Sequence, residues 1–136
     1  MSFTLREHTA DVAVEATGES IDDVFAAVAD GLAAAMCEDV PAQGERFRLS
    51  VTAESSEALL FDYLDELIYQ RDVRNVLPVD NDATVTETAD GWAVDASARG
   101  VPLSAVTARE VKAVTYSEME LHETDAGWCA YVVFDV

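Results

Sequence analysis

Apolar residues recur at helical spacing in two segments of the chain. In residues 21–36 they return every three or four positions for four turns, and Ser20 and Asp23 have the spacing of a capping box with Asp in place of Glu. In residues 56–72, Ser55 or Ser56 can cap a second helix whose apolar side is formed by Leu60, Leu64, Leu67 and Ile68. The spacing therefore predicts two amphipathic helices.

Apolar and polar residues alternate elsewhere, which is typical of strands with one buried face. The predicted strands cover residues 10–16, 47–51, 83–88, 92–98, 112–122 and 128–136. Asp90-Gly91 and Asp125-Ala126-Gly127 predict two hairpin turns, and Gly100 and Pro102 mark residues 99–111 as a loop.

The element order β-α-β-α-β-β-β-β predicts an α+β fold. We expect both amphipathic helices to pack on one side of a mixed, mainly antiparallel sheet. The chain has 136 residues and no repeat or linker, so residues 1–136 are expected to form one domain.

The net charge argues against some classes of function. Lys and Arg number 8 and Asp and Glu 27, so the net charge is −19, and such a surface repels phosphate backbones. We therefore expect no direct tight nucleic-acid binding. With no apolar run long enough for a bilayer and no signal segment, we expect no membrane partner and a cytoplasmic location.

The acidic surface has two interpretations. Seven of the basic residues are arginine, Lys112 is the one lysine, and alanine and valine are abundant, which together favour a halophilic protein whose carboxylates hold water. The alternative is a dedicated acidic docking surface. A lone lysine can also survive by chance, but lysine supplies a compact point charge that arginine does not.

Most catalytic and metal-binding patterns are missing. Cys37 and Cys129 are isolated and predicted to be small core residues, and of the two histidines we expect His122 to be solvated. Tyr116 and Tyr131 are predicted to pack in the core or across strands. No phosphate-binding glycine loop or nucleophile motif is present.

Three candidates remain for chemistry. Asp11 lies near the start of the first predicted strand, on the face opposite Val12 and Val14, although carboxylates are disfavoured in strands. Asp135 and the carboxylate of Val136 end the last predicted strand. If these two strands are neighbours, three hard oxygen ligands converge, and a divalent cation such as calcium or magnesium would offset their repulsion. Solvated strand ends are the alternative, and Lys112 could pair with these carboxylates or with a phosphate.

Five segments together resemble the archease family, in order along nearly the whole chain. They are His8-Thr9-Ala10-Asp11, Gly31 to Met36, Leu59 to Tyr69, Val111 to Tyr116, and Trp128 to Val136. The resemblance implies an α+β fold and a non-enzymatic protein that assists the RNA ligase RtcB, which seals tRNA halves during tRNA splicing. It implies that the protein promotes guanylylation of the ligase with GTP and allows multiple turnover.

The resemblance also implies site residues. Asp11 and Asp135 match its metal-site carboxylates, with the carboxylate of Val136 beside them, and Lys112 matches its functional lysine. Two alternatives stay open: a small metal-dependent phosphohydrolase that uses Asp11 and Asp135, and a calcium-binding, chaperone-like module in which Lys112 has no role.

Overall fold

Two helices lie where the apolar spacing predicts them in this computed structural model, which describes residues 2–8 and 11–136, with only the backbone course for residues 6–8. Helix α1 spans Ile21–Met36, and the Ser20 hydroxyl accepts a hydrogen bond from the Asp23 amide at 3.2 Å. Helix α2 spans Ser56–Arg74, with Ser55 as its capping residue. Both predicted caps are thus formed, since a hydroxyl satisfies an amide that the first turn leaves unpaired.

Seven strands surround the helices. They are β1 (Ser2–His8), β2 (Asp11–Gly18), β3 (Glu45–Ala53), β4 (Val76–Thr88), β5 (Gly91–Pro102), β6 (Ala113–Thr124) and β7 (Gly127–Asp135). Both predicted hairpin turns are present, and Gly91 and Gly127 have φ values of 149° and 138°, which suit glycine.

The strands form two sheets instead of the single mixed sheet expected. One sheet has the order β1-β2-β7-β6 and the other β3-β5-β4, and every described pair is antiparallel. Helix α1 packs on β1, β2 and β7 of the first sheet and on β4 of the second, while α2 packs on β6 and on β3, β4 and β5. The α+β class is confirmed, with a helical layer that contacts both sheets.

Three strand limits differ from the alternation pattern. Strand β1 was not predicted. It lies at a sheet edge, and its apolar residues Phe3 and Leu5 are well exposed. Strand β4 begins before residue 83 and contains Pro78, which an edge strand tolerates because the missing N–H need not pair. Strand β5 continues through residues 99–102, where a loop was expected.

Both helices and the inner faces of both sheets supply the core. Helix α1 is buried on nearly all sides, and Gly31 lets it approach Val14 of β2 so closely that a methyl group would collide there. The predicted face of β5 is buried at Val94, Ala96 and Ala98. Neither described helix is long and apolar enough to cross a membrane.

Candidate functional site

Strands β2 and β7 are neighbours, as the candidate site requires. Their antiparallel register places Asp11 directly opposite Asp135. Directly opposed residues project from the same face with their Cβ atoms about 5 Å apart. The structure therefore brings these two carboxylates together, on the face of the sheet opposite Val14 and Phe134, whose side chains join the core.

Lys112 and Val136 adjoin this pair. The Lys112 amide donates a hydrogen bond to the Asp135 carbonyl at 2.8 Å, just before β6 begins with Ala113 opposite Asp135. The Lys112 side chain is exposed, and Val136 follows Asp135 at half-burial. We call Asp11, Lys112, Asp135 and Val136 the acidic end.

Arg71 of α2 holds the segment before Lys112, a contact that the sequence analysis did not predict. Its side chain is only 7% exposed, and Nη1 donates to the Val111 carbonyl at 2.7 Å and to Sδ of Met36 at 3.4 Å. Nε bonds to the exposed carboxylate of Asp72 at 3.0 Å. The signal was present, because Arg71 follows Leu64, Leu67 and Ile68 at helical spacing on the apolar side of α2.

An open groove of about 1180 Å³ lies against the acidic end. Its lining includes Asp11 and Val136 of the acidic end together with Glu38, Asp39 and Arg109. The Arg109 amide donates to the Met36 carbonyl at 2.6 Å, which fastens the loop after the 3₁₀ turn Leu103–Ala105 to the end of α1. The predicted loop 99–111 therefore contributes its second half to the groove.

These residues could bind a hard divalent cation that takes only a few of its ligands from the protein. The carboxylates of Asp11 and Asp135 share one face, and oxygen ligands are those that calcium and magnesium prefer. Within residues 2–8 and 11–136, no described group of three or more His, Cys, Asp or Glu side chains could hold a metal. An ion here would thus retain several water ligands.

The other candidates fall outside this end. His122 is exposed as predicted, whereas the His8 side chain and Thr9-Ala10 lie outside the described residues. Both cysteines are free; Cys37 is buried as expected, and Cys129 is half-buried. The expectation for Tyr116 was wrong: the residue is 57% exposed, at the start of a bulge in β6, and its ring stacks on Phe61 of α2.

A second polar cluster lies at a bulge in β4, which the alternation pattern does not reveal. Asp80 has a φ of 48°, and the register with β5 shifts between Val79 and Asp82. The Asp30 carboxylate of α1 accepts hydrogen bonds from the backbone amide and Nδ2 of Asn81 at 3.0 and 2.9 Å. Burial raises the pKa of Asp30 above its usual range, and these hydrogen bonds oppose that rise.

The chain matches known proteins along nearly all its length. A family model described as the Archease protein family (MTH1598/TM1083) matches residues 3–136. A protein archease of Methanosarcina mazei is 34% identical over 135 residues, covering 96% of this chain and 92% of the relative. One from Thermococcus kodakarensis is 33% identical, covering 96% and 95%.

Solved structures agree. The solution structure of Methanobacterium thermoautotrophicum protein 1598 has a TM-score of 0.84 at 30% identity and covers 98% of both chains. The crystal structure of a Thermotoga maritima archease, described as a possible chaperone, has a TM-score of 0.62 at 20% identity, covers 96% and 94%, and is similar in fold. With its sequence matched from residue 3 to residue 136, this chain belongs to the archease family.

Proposed function

We propose that this protein is a non-enzymatic partner of the GTP-dependent RNA ligase RtcB in the cytoplasm, and that it promotes guanylylation and multiple turnover of the ligase in tRNA splicing. The observation that supports this most is the pairing of Asp11 with Asp135 beside Lys112, whose amide is bonded to Asp135. This pairing gathers, at one exposed corner, the residues that the family resemblance singles out.

Asp11, Asp135 and the carboxylate of Val136 are the proposed ligands of a calcium ion, with magnesium as the alternative. When bound, the ion would supply positive charge that offsets the repulsion of the paired carboxylates. Lys112 is the proposed phosphate-facing group, because its ammonium is a compact charge suited to a nucleotide phosphate held by the ligase. The acidic end would thereby orient the reacting groups of the ligase.

The net charge of −19 supports a protein partner over an RNA partner. A surface of this sign repels tRNA at long range, so the protein would not compete with the ligase for substrate. Its acidic end can instead approach a nucleotide site that is rich in bound cations.

The test is RNA ligation and GTP-dependent guanylylation by the cognate ligase, with and without this protein. Lys112→Met, Asp11→Asn and Asp135→Asn should each reduce the activation roughly 100-fold, the typical cost of removing one positioned electrostatic group. Matched controls are Arg48→Met on β3 and Asp90→Asn at the first hairpin, which make similar changes at exposed sites away from the acidic end. No activation by the wild type, or equal activation by all variants, would reject the proposal.

A second candidate is a calcium-binding chaperone-like module, which the description of the Thermotoga maritima structure as a possible chaperone favours. In that case Lys112→Met is silent, and the carboxylate variants lower only thermal stability. Phosphate release from GTP by the protein alone would instead indicate the phosphohydrolase.

A further inference from the structure

A bulge in β6 presents an aromatic ring to solvent. Thr115 pairs with Val133 and Glu120 with Tyr131, so residues 116–119 of β6 stand opposite Val132 alone. Glu118 in this bulge has a φ of 57°, a conformation that non-glycine residues seldom adopt. The Tyr116 ring lies flat on Phe61 of α2, with centroids 4.0 Å apart and planes 4° from parallel. The stack fixes an exposed ring in one orientation.

Helix α2 extends this apolar surface. Tyr69 and Val73 are 57% and 54% exposed and lie one turn apart on the same side of the helix. Phe61 lies about two turns before Tyr69, with the exposed Asp65 between them. The hydrogen bond from Arg71 to the Val111 carbonyl sets the last turns of α2 beside the segment before Lys112. The α2–Tyr116 face, consisting of Phe61, Tyr69, Val73 and Tyr116, therefore runs from the bulge toward the acidic end.

This face is unusual for its exposure. Of the five large hydrophobic side chains that are most exposed in the described part of the chain, three belong to it. Exposed aromatic and apolar side chains gathered in one region of a protein surface commonly mark a contact site.

The charges around the face select the partner. Asp62 and Asp65 are exposed along the same helix, and Asp72, whose carboxylate bonds to Arg71, is exposed next to Val73. The nearby Arg74 lies over the Phe47 ring at 4.6 Å and bonds to Gln70, so its guanidinium is engaged by these two side chains. Tyrosine rings bordered by carboxylates suit arginine and lysine side chains, which lay their apolar stems on a ring and pair their charged ends with acids.

We infer that the α2–Tyr116 face docks a basic protein surface rich in arginine and lysine, and, resting on the proposed function, that this surface belongs to the ligase. In this arrangement, the α2–Tyr116 face provides affinity for the ligase and the acidic end activates it. Variants of the two regions should consequently change different measured quantities.

The experiment measures both quantities with the full chain and the cognate ligase. The double variant Tyr69→Gln with Val73→Gln should weaken the ligase Kd by 10- to 100-fold, as loss of an interface tyrosine commonly does, while activation at saturating concentration stays at the wild-type level. Tyr69→Phe should retain most of the affinity because it keeps the ring. The control Thr84→Gln with Thr86→Gln changes two exposed positions of β4 and should leave Kd unchanged.

Charge is tested separately. Asp62→Asn with Asp65→Asn should slow association with the ligase at low salt and reduce the dependence of that rate on salt concentration. Circular dichroism melts of all variants verify that the helices form, which their exposed positions predict.

Three results would overturn the inference. An unchanged Kd for the tyrosine-valine variant shows that the face does not bind the ligase. If the tyrosine-valine variant keeps the wild-type Kd but activates the ligase less at saturating concentration, the face acts in activation and not in binding. If the wild type is a dimer and this variant is a monomer, the face binds a second copy of the chain. A wild type that binds no ligase also rejects the proposed function, whereas normal binding by the variants rejects only this inference.

Discussion

The bulge in β4 and the acidic end both contain carboxylates, but they surround them differently. At the bulge, Asp30 accepts two hydrogen bonds from Asn81, and Asp80 pairs with Arg99 at 2.7 Å. At the acidic end, the register places Asp11 between Asp135 of β7 and His8 of β1. Acids matched with donors stabilise the fold, whereas two opposed acids repel each other, a repulsion that a bound cation would reduce. The carboxylates at the bulge are structural, and the pair at the acidic end is the one proposed to bind a cation.

The largest expected effect is on the bulge. Asp30→Ala removes the acceptor of both Asn81 donors and leaves them buried, so we expect a loss of about 3 kcal/mol in the free energy of unfolding. Asp82→Ala, which removes an exposed acid of β4, should change the free energy of unfolding by less than about 0.5 kcal/mol. Urea unfolding measures both, and equal losses would show that the hydrogen bonds to Asp30 do not stabilise the bulge.

Calcium should affect only the acidic end. At a concentration 100 times its Kd, it should raise the free energy of unfolding by about 2.7 kcal/mol. Asp11→Asn and Asp135→Asn should abolish this gain and Asp90→Asn should keep it. Thermal melts with and without calcium test the site independently of any ligase. A gain that persists in Asp11→Asn would place the ion elsewhere.

Arg71 has a structural role like that of Asp30, but it supports the acidic end, because it holds the Val111 carbonyl next to Lys112. Arg71→Met leaves the Val111 carbonyl without its buried donor and should cost about 2 kcal/mol in the free energy of unfolding. Arg74→Met, which loses a contact with the Phe47 ring, should cost about 0.5 kcal/mol. Chemical denaturation compares the two, and a smaller loss for Arg71→Met would contradict its assigned role.

The smallest effect is a pH dependence of Asp30. Because burial raises its pKa in the folded protein above that of the unfolded chain, the folded state binds the proton more tightly, and protonation stabilises the fold as pH falls through that interval. Asp30→Asn keeps an acceptor for Asn81 without the buried charge. It should be more stable than wild type at pH 7, and this advantage should shrink as the pH approaches 3.8. A difference that does not vary between pH 7 and pH 4 would contradict the shift.

Local signals predicted the helices well. Ser20 and Ser55 fixed where α1 and α2 begin, because capping depends on residues within one turn. The class of the fold followed from two helical patterns among alternating ones. The division into two sheets did not, since alternation shows that a strand has a buried face but not which strand lies beside it.

The candidate site was predicted in part. Periodicity placed Asp11 and Asp135 on strands, and the resemblance to archeases indicated that they belong together; their register came only from the structure. The hydrogen bonds from Arg71 to Val111 and from Arg109 to Met36 were not predicted, because they join residues about 40 to 70 positions apart in the chain. The exposure of Tyr116 was not predicted, since it stands at a bulge of β6 that no local pattern marks.

The antiparallel course of β7 has a practical consequence for biophysical work. Its nine residues, Gly127–Asp135, separate the exposed turn at Ala126 from the acidic end by roughly 27 Å at the usual rise of a strand. A fluorophore or a surface linker attached through a cysteine introduced at Ala126 would point away from both the groove and Lys112. Immobilised or labelled protein prepared in this way should report binding without obstructing the corner where the two strand ends meet.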